Sequence, residues 1–400
     1  MQTQEAIKNS GLNKEENSIR NSAKKFLVNN SMYIFLALII ILFQILTDGI
    51  LLLPMNITNV ILQNSYIFIL TIGMLMLVLL GDIDLSVGSV LAFTGALSAV
   101  LIIENNMNVY LAIFICLLVG LLIGAWHGFW VAYVHVPAFI ATLAGLLTFR
   151  GLTIVILDGQ TISSYPRAFQ LMSSGFLTDA FTDNPFMLTL GLGFIFVALY
   201  VFMSIRSRMK DLKFGANTES NTRFILKITA FSLAILWMFY TFGNYEGIPN
   251  VLIILSILGL AAKFITDRTT IGRHIYAIGG NEKAATLSGI NTKRVKFWTF
   301  ASMGVMSAIA GMVFSARLNA ASAQAGSGFE LDAIAACYIG GASTSGGIGT
   351  VVGALVGALV MALLNNGMSL MGVGTDWQMA IKGLVLLFAV AIDIYNKNKG

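Results

Sequence analysis

ITNVILQNSYIFILTIGMLMLVLL, residues 57–80, decides the fold. It carries no charged residue, and it is longer than the about 20 apolar residues that cross a hydrocarbon core of about 30 Å. In lipid, only helices and closed barrels satisfy their backbone groups. A barrel strand would alternate polar and apolar residues over stretches of about ten. This run does not alternate, so it reads as a membrane-spanning helix.

Working outward, similar runs occur at 32–53, 86–103, 109–134, 137–157, 186–205, 224–242, 248–266, 297–316, 331–345, 350–371 and 376–394. The whole chain has the same character. Of its 400 residues, 57% are hydrophobic and 11% charged, against about 25% charged in soluble domains. Its mean hydropathy is +0.82. The expected fold class is therefore all-α, a polytopic transmembrane helix bundle of about 10–12 spans in the lipid bilayer. The runs 86–103 and 331–345 are short and rich in Gly, Ser and Ala. They read as broken or re-entrant helices.

Charge sets the expected orientation. The net charge is +5, and basic loops between apolar runs are typical of cytoplasmic faces; nucleic acid is not implied. With every run counted as a crossing and the N-terminus inside, Arg206, Arg208, Lys210, Lys213 and Arg223 fall inside. So do Arg268, Arg273, Lys283, Lys293, Arg294 and Lys296, and finally Lys397 and Lys399. The long external loop 158–185 carries only Arg167. This count favours a crossing at 331–345, although a fold-back there stays open. Residues 1–30 read as a disordered cytoplasmic arm without a cleavage site. Residues 31–400 read as a single transmembrane domain with a cytoplasmic loop at about 267–296. Ile57-Thr58-Asn59-Val60 and Ile248-Pro249-Asn250-Val251 echo each other at two span starts, which chance explains as well as a repeat does.

Enzymatic signals are nearly absent. His127, His135 and His274 form no HExxH pattern. No GxSxG occurs, and no Gly-Lys dipeptide exists to build a phosphate-binding P-loop. Cys116 and Cys337 lie in apolar runs without metal spacing. No catalytic residue, metal or cofactor is expected.

Three segments carry more information. In GDIDLSVGS, 81–89, two carboxylates two positions apart cannot share a helical face. Asp84 is suited to cap the helix starting near Ser86, or it takes part in a solute path. In 279–296, Asn281 can cap a short helix, Glu282 suits its positive end and Gly289 its stop. A helix this short needs something to dock against. In GFELDAIAACYIGGASTSGG, 328–347, Glu330 and Asp332 precede a small-residue helix that glycines then break. Gly349, Gly353 and Gly357 follow at the small-xxx-small spacing that lets helices approach closely.

Together these segments resemble the ribose/xylose-type permeases of bacterial sugar ABC importers, over roughly 50 to 395. Asp82 stands where that family more often has glycine. The added spans around 186–242 resemble its longer xylose and multiple-monosaccharide members. The resemblance implies a multi-pass protein of the bacterial inner membrane, with both termini cytoplasmic. It implies a second permease copy as homodimer partner, a separate ABC ATPase subunit beneath, and an extracytoplasmic sugar-binding protein. It makes Asn281, Glu282, Ala284, Ala285, Ser288, Gly289 and Ile290 the helix that couples to the ATPase. The substrate implied is a monosaccharide of the xylose, ribose or galactose kind; branched-chain amino acids and nucleosides use the same architecture.

For the pathway, the polar and aromatic candidates are Gln63, Asn64, Asp84, Trp126, Asn365 and Asn366. Amides can hydrogen-bond sugar hydroxyls or join helices; Trp126 can stack on a sugar or simply pack. A self-sufficient secondary transporter would instead show buried charge pairs. The mid-span charges Arg150, Lys263 and Lys382 all lie near expected span ends. An intramembrane enzyme would need a nucleophile with its base, which the sequence does not offer.

Overall fold

In the computed structural model, residues 31–180, 184–215 and 220–397 are described. The expected arm at 1–30 lies outside them. Apart from a two-residue strand pair, Ile162–Ser163 (β1) with Ala320–Ala321 (β2), the regular structure is helical.

The helices are α1 (Ser31–Leu46), α2 (Pro54–Leu80), α3 (Val87–Ala99, prolonged by a wide turn over Val100–Glu104), α4 (Val109–Ala132) and α5 (Ala138–Ile156). A short surface helix α6 (Arg167–Ser174) precedes α7 (Pro185–Lys213) and α8 (Asn221–Gly243). Then come α9 (Asn250–Arg268), α10 (Thr270–Gly280), α11 (Glu282–Leu287), α12 (Thr292–Leu318), α13 (Phe329–Ile339), α14 (Val351–Leu370) and α15 (Thr375–Lys397). Among the described residues, nine helices are long and apolar enough to cross a membrane: α2, α3 with its turn, α4, α5, α7, α8, α9, α12 and α14. The shorter apolar α1 and the more charged α15 flank them, and the chain is a polytopic helical membrane protein.

α2 is the axis. From Asn64 to Leu80 every residue is buried, because neighbours cover all its sides. At the other extreme, the α7–α8 hairpin packs mainly on itself and exposes Phe194, Phe202, Ile225 and Phe231. A helix that is apolar all round but uncovered by protein fits a lipid environment.

The packing pattern reveals an inverted repeat. α2 and α12 pack on each other. α3 and α4, which follow α2, pack on α12; α13 and α14, which follow α12, pack on α2. α3 also packs on α5, and α13 on α15 in the same way. The two four-helix units, 54–156 and 292–397, thus exchange partners around the α2–α12 pair. Repeats of this kind are common in transporters. The four-residue echo noted in the sequence links α2 to α9 and is not part of this relationship.

Each unit contains one helix that starts part-way through the bundle. Gly81 ends α2 in a left-handed conformation, φ +84°, and the chain runs without helix to Ser86 before α3 begins. In the other unit the chain leaves Asn319 and reaches α13 only at Phe329. The ring of Phe329 stacks on Tyr66, centroids 3.7 Å apart, half-way along α2. Gly326 lies against the backbone of Gly88. The N-termini of α3 and α13 therefore meet inside the bundle, and the two helices diverge toward opposite ends.

This settles how 331–345 runs. α13 has 11 residues and rises only about 16 Å, too short to span alone. Residues 320–345 together still pass from one end of the bundle to the other. Residues 320–328 cover the first half without a span-length helix, and α13 covers the second. Gly347 N–H then donates to the Leu79 carbonyl at 2.9 Å, at the end where α10 and α11 lie.

Candidate functional site

Two places concentrate polar chemistry: the mid-bundle junction of α3 and α13, and the end of the bundle that carries α11.

At the junction, Asp84 is buried, and its Oδ1 accepts from the Ser86 amide at 2.8 Å and the Ser86 hydroxyl at 2.6 Å. A carboxylate here satisfies the opening turn of α3 and complements its dipole. A Cβ on Gly88 would strike the Gly326 carbonyl and the Glu330 carboxylate, so only glycine permits this approach. Arg150 of α5 donates from Nη1 to the carbonyls of Ala323 and Ala325, at 2.9 and 2.6 Å. It thereby satisfies non-helical backbone that water would otherwise have to reach.

One turn into α13, Asp332 is wholly buried. Lys382 of α15 approaches its Oδ1 at 2.9 Å, and the Tyr66 hydroxyl donates to Oδ2 at 3.4 Å. The sequence placed Lys382 near a span end; the structure makes it part of a buried charge pair. Ionised groups in this setting are costly and usually functional. Tyr66 and Asp332 were not among the expected site residues.

The amides divide into two pairs. Asn366 and Asn56 exchange hydrogen bonds at 2.9 and 3.0 Å, both buried. Asn365 donates to the Asn64 oxygen at 3.3 Å, and Asn64 also donates to the Val60 carbonyl. Both pairs fasten α14 to α2. Gln63 is half-buried on α2. Trp126 lies apart on α4. It is exposed, and its edge contacts are His127, Trp130 and Phe149. The expected pathway residues are thus not gathered in one cavity.

At the other end, the three sequence segments converge. Gly279 of α10 lies against the Leu79 carbonyl and Gly347, and Gly346 lies against Gly81 and Gly279. Residues with side chains could not pack their backbones so closely. Gly349 lies in the same loop, against Ala342 and Leu75. Gly353 and Gly357 of α14 face Gly340 and Ala336 of α13.

From this base α11 projects. The Asn281 side chain accepts from the Ala284 amide at 3.0 Å, and Gly289, φ +85°, ends the helix. The Ser288 hydroxyl donates to the Ala284 carbonyl at 2.9 Å, and the Ile290 amide to the Ala285 carbonyl at 3.1 Å. Ala285 points inward and is buried. It seats the helix on its own protein, so its place among the coupling residues is beneath the helix, not on its outer face. Leu287, absent from the expected set, is 90% exposed. It lines an open groove with Asn281, Glu282, Lys283 and Thr286. A six-residue helix shows no periodicity from which its outward face can be read.

Glu282 opens α11, and its Oε2 receives Lys296 Nζ at 2.9 Å; the same ammonium stands 3.8 Å from Asp82 Oδ2. Burial raises the Asp82 carboxyl above its ordinary value, Lys296 pulls it back, and Glu282 adds to the rise.

Known proteins can be set beside this geometry. The chain is 41% identical over 376 residues to the xylose transport system permease protein XylH of Haemophilus influenzae, covering 93% of this chain and 98% of that one. It is 40% identical over 379 residues to XylH of Escherichia coli, covering 93% and 94%. It is 34% identical over 338 residues to the ribose import permease protein RbsC of Escherichia coli, covering 84% and 85%. No solved structure matches. The family described as branched-chain amino acid transport system, permease component, matches residues 56–390, and the chain belongs to it.

Proposed function

We propose that this protein is the membrane-spanning permease of an ATP-binding-cassette importer for a monosaccharide, with a pentose the first substrate to test. The observation that carries the reading is α11. It is a short helix, held by its own cap, that shows Leu287 and an open groove at the one end where the three glycine-rich segments meet. A helix of six residues gains little from propensity, and an exposed leucine on it fits a partner's groove. The partner is an ATPase subunit, since this chain has no P-loop.

In this reading the α11 end is cytoplasmic, as its lysines and arginines favour, and so are both termini. Two copies form the pathway, and an extracytoplasmic binding protein delivers the sugar at the opposite end. The sugar passes by the junction of α3 and α13, where non-helical chain lies inside the bundle; such breaks mark binding sites in many transporters. Gln63, Asn64, Asp84, Trp126, Asn365 and Asn366 are the side chains proposed to face or frame that path. The relatives' names, xylose and ribose permeases, support the sugar class.

The test is retention of candidate ATPase subunits by the solubilised chain, followed by ATP-dependent pentose uptake in proteoliposomes with a binding protein. Retention and ATP-dependent uptake are expected. The buried Asp332–Lys382 pair favours a second reading, a self-powered carrier. Uptake driven by an ion gradient without ATP would put that reading first.

A further inference from the structure

The ATPase dock and the broken helix α3 are joined by one side chain. Lys296 lies on the second turn of α12, the helix along which α3 and α4 pack. Its ammonium holds Glu282, the first residue of α11, at 2.9 Å, and stands 3.8 Å from Asp82, on the segment that leads into α3. Lys296 and Asp82 are each only 16% exposed, whereas Glu282 is 50% exposed. The two partners therefore differ in kind. Glu282 sits at the water's edge on a small helix that can be pulled. Asp82 is sheltered, and its Oδ2 has no hydrogen-bond donor among the described residues. At 3.8 Å the attraction is electrostatic without a hydrogen bond, and screening is weak where water is scarce.

The backbone around this triad is stiff. Gly279 is pressed on the Leu79 carbonyl, and Gly347 donates to the same oxygen. The end of α2 is thus clamped, and the next element not held in a helix is the stretch that starts at Asp82. A shift of α11 by an ångström or so changes which carboxylate Lys296 holds more closely.

We propose that Lys296 is a positioning residue for transport. It shares its charge between Glu282 and Asp82, so that displacement of α11 by a partner is transmitted to the Asp82–Ser86 segment and hence to the start of α3. The inference rests on α11 being the ATPase dock, and it adds the route by which docking reaches the pathway. It makes Lys296 distinct from the dock itself: its loss should uncouple, not detach.

The experiment uses the full chain in nanodiscs, with the ATPase subunit it retains and a pentose-binding protein, and it reads ATPase retention and pentose moved per ATP hydrolysed. For Lys296→Met, retention stays at the wild-type level, and the ratio falls by about fivefold, the size of effect seen along coupling networks. Lys296→Arg restores the ratio to within about twofold, because it keeps the charge. Asp82→Asn, which leaves the Lys296–Glu282 bond in place, lowers the ratio as Lys296→Met does. A folded Lys296→Met variant with the wild-type ratio overturns the inference. If Lys296→Met does not fold, Asp82→Asn decides: an unchanged ratio overturns it. A wild-type chain that retains no ATPase ends the importer reading and this inference together. Retention with full coupling in both variants ends this inference alone.

Discussion

Lys382 Nζ lies 2.9 Å from Asp332 Oδ1, joining α15 to the first turn of α13 in a place where Asp332 has no contact with solvent. The two partners are not equally trapped. Lys382 retains 19% of its side-chain exposure, Asp332 none. Lys382→Met leaves a buried carboxylate held by neutral donors, the Tyr66 hydroxyl and the Asn365 amide, and should cost about 3–5 kcal/mol. Asp332→Asn leaves an ammonium that can turn toward water on its flexible stem, and should cost less. The double variant should be more stable than Lys382→Met alone. Thermal unfolding of the four proteins in one detergent checks the order.

The amides between α2 and α14 give a second measurement. Asn56 and Asn366 satisfy each other twice, so truncating either strands its partner. Asn56→Leu and Asn366→Leu should each cost about 1–3 kcal/mol. The double variant strands neither amide, only the Leu51 carbonyl that Asn56 also serves at 2.9 Å, and should cost less than their sum, by a coupling of about 0.6–1.7 kcal/mol. Additive losses would mean that the pair is not a unit.

These two clusters show where the sequence was legible. Asn64, Asn365 and Asn366 stood out because an amide in an apolar run must find a partner, either a solute or another helix. Tyr66 did not, since a tyrosine amid Ile and Phe reads as packing until Phe329 and Asp332 are seen beside it. Apolar runs located the long helices, and the Gly, Ser and Ala content of 331–345 foretold a short one, whereas 86–103 runs as one helix long enough to span, with a wide turn at its end. The exchange of partners around α2 and α12 was hidden, because an inverted repeat preserves packing relationships that need no shared residues. Lys296 was visible only as one of several basic residues in a loop; its two carboxylates come from segments far apart in the chain.

Asp82 gives the pH dependence. Its carboxyl is raised by burial from the ordinary 3.8, so the folded protein binds that proton more tightly than the unfolded chain does. The stabilisation this brings is fully present below the ordinary value and is lost as pH climbs through the raised one. Asp82→Asn removes the titration. The melting temperature of wild type relative to Asp82→Asn should therefore fall as pH rises through that window, and a pH-independent difference would contradict it.

The last prediction separates the two faces of α11. Leu287 is 90% exposed and Ala285 4%, though they are two positions apart. Leu287→Asp removes an apolar side chain from water and breaks nothing internal, so the melting temperature should hold, since surface changes stay within about 0.5 kcal/mol. ATPase retention should be lost, because a carboxylate would then enter the partner's groove. Ala285→Asp forces a charge beneath the helix and should unseat α11 from its own protein, lowering stability as well as retention. Measured side by side, retention lost at constant stability marks a docking contact, and retention lost with stability marks a foundation. Were Leu287→Asp to retain the ATPase at the wild-type level, Leu287 would not be where the partner binds.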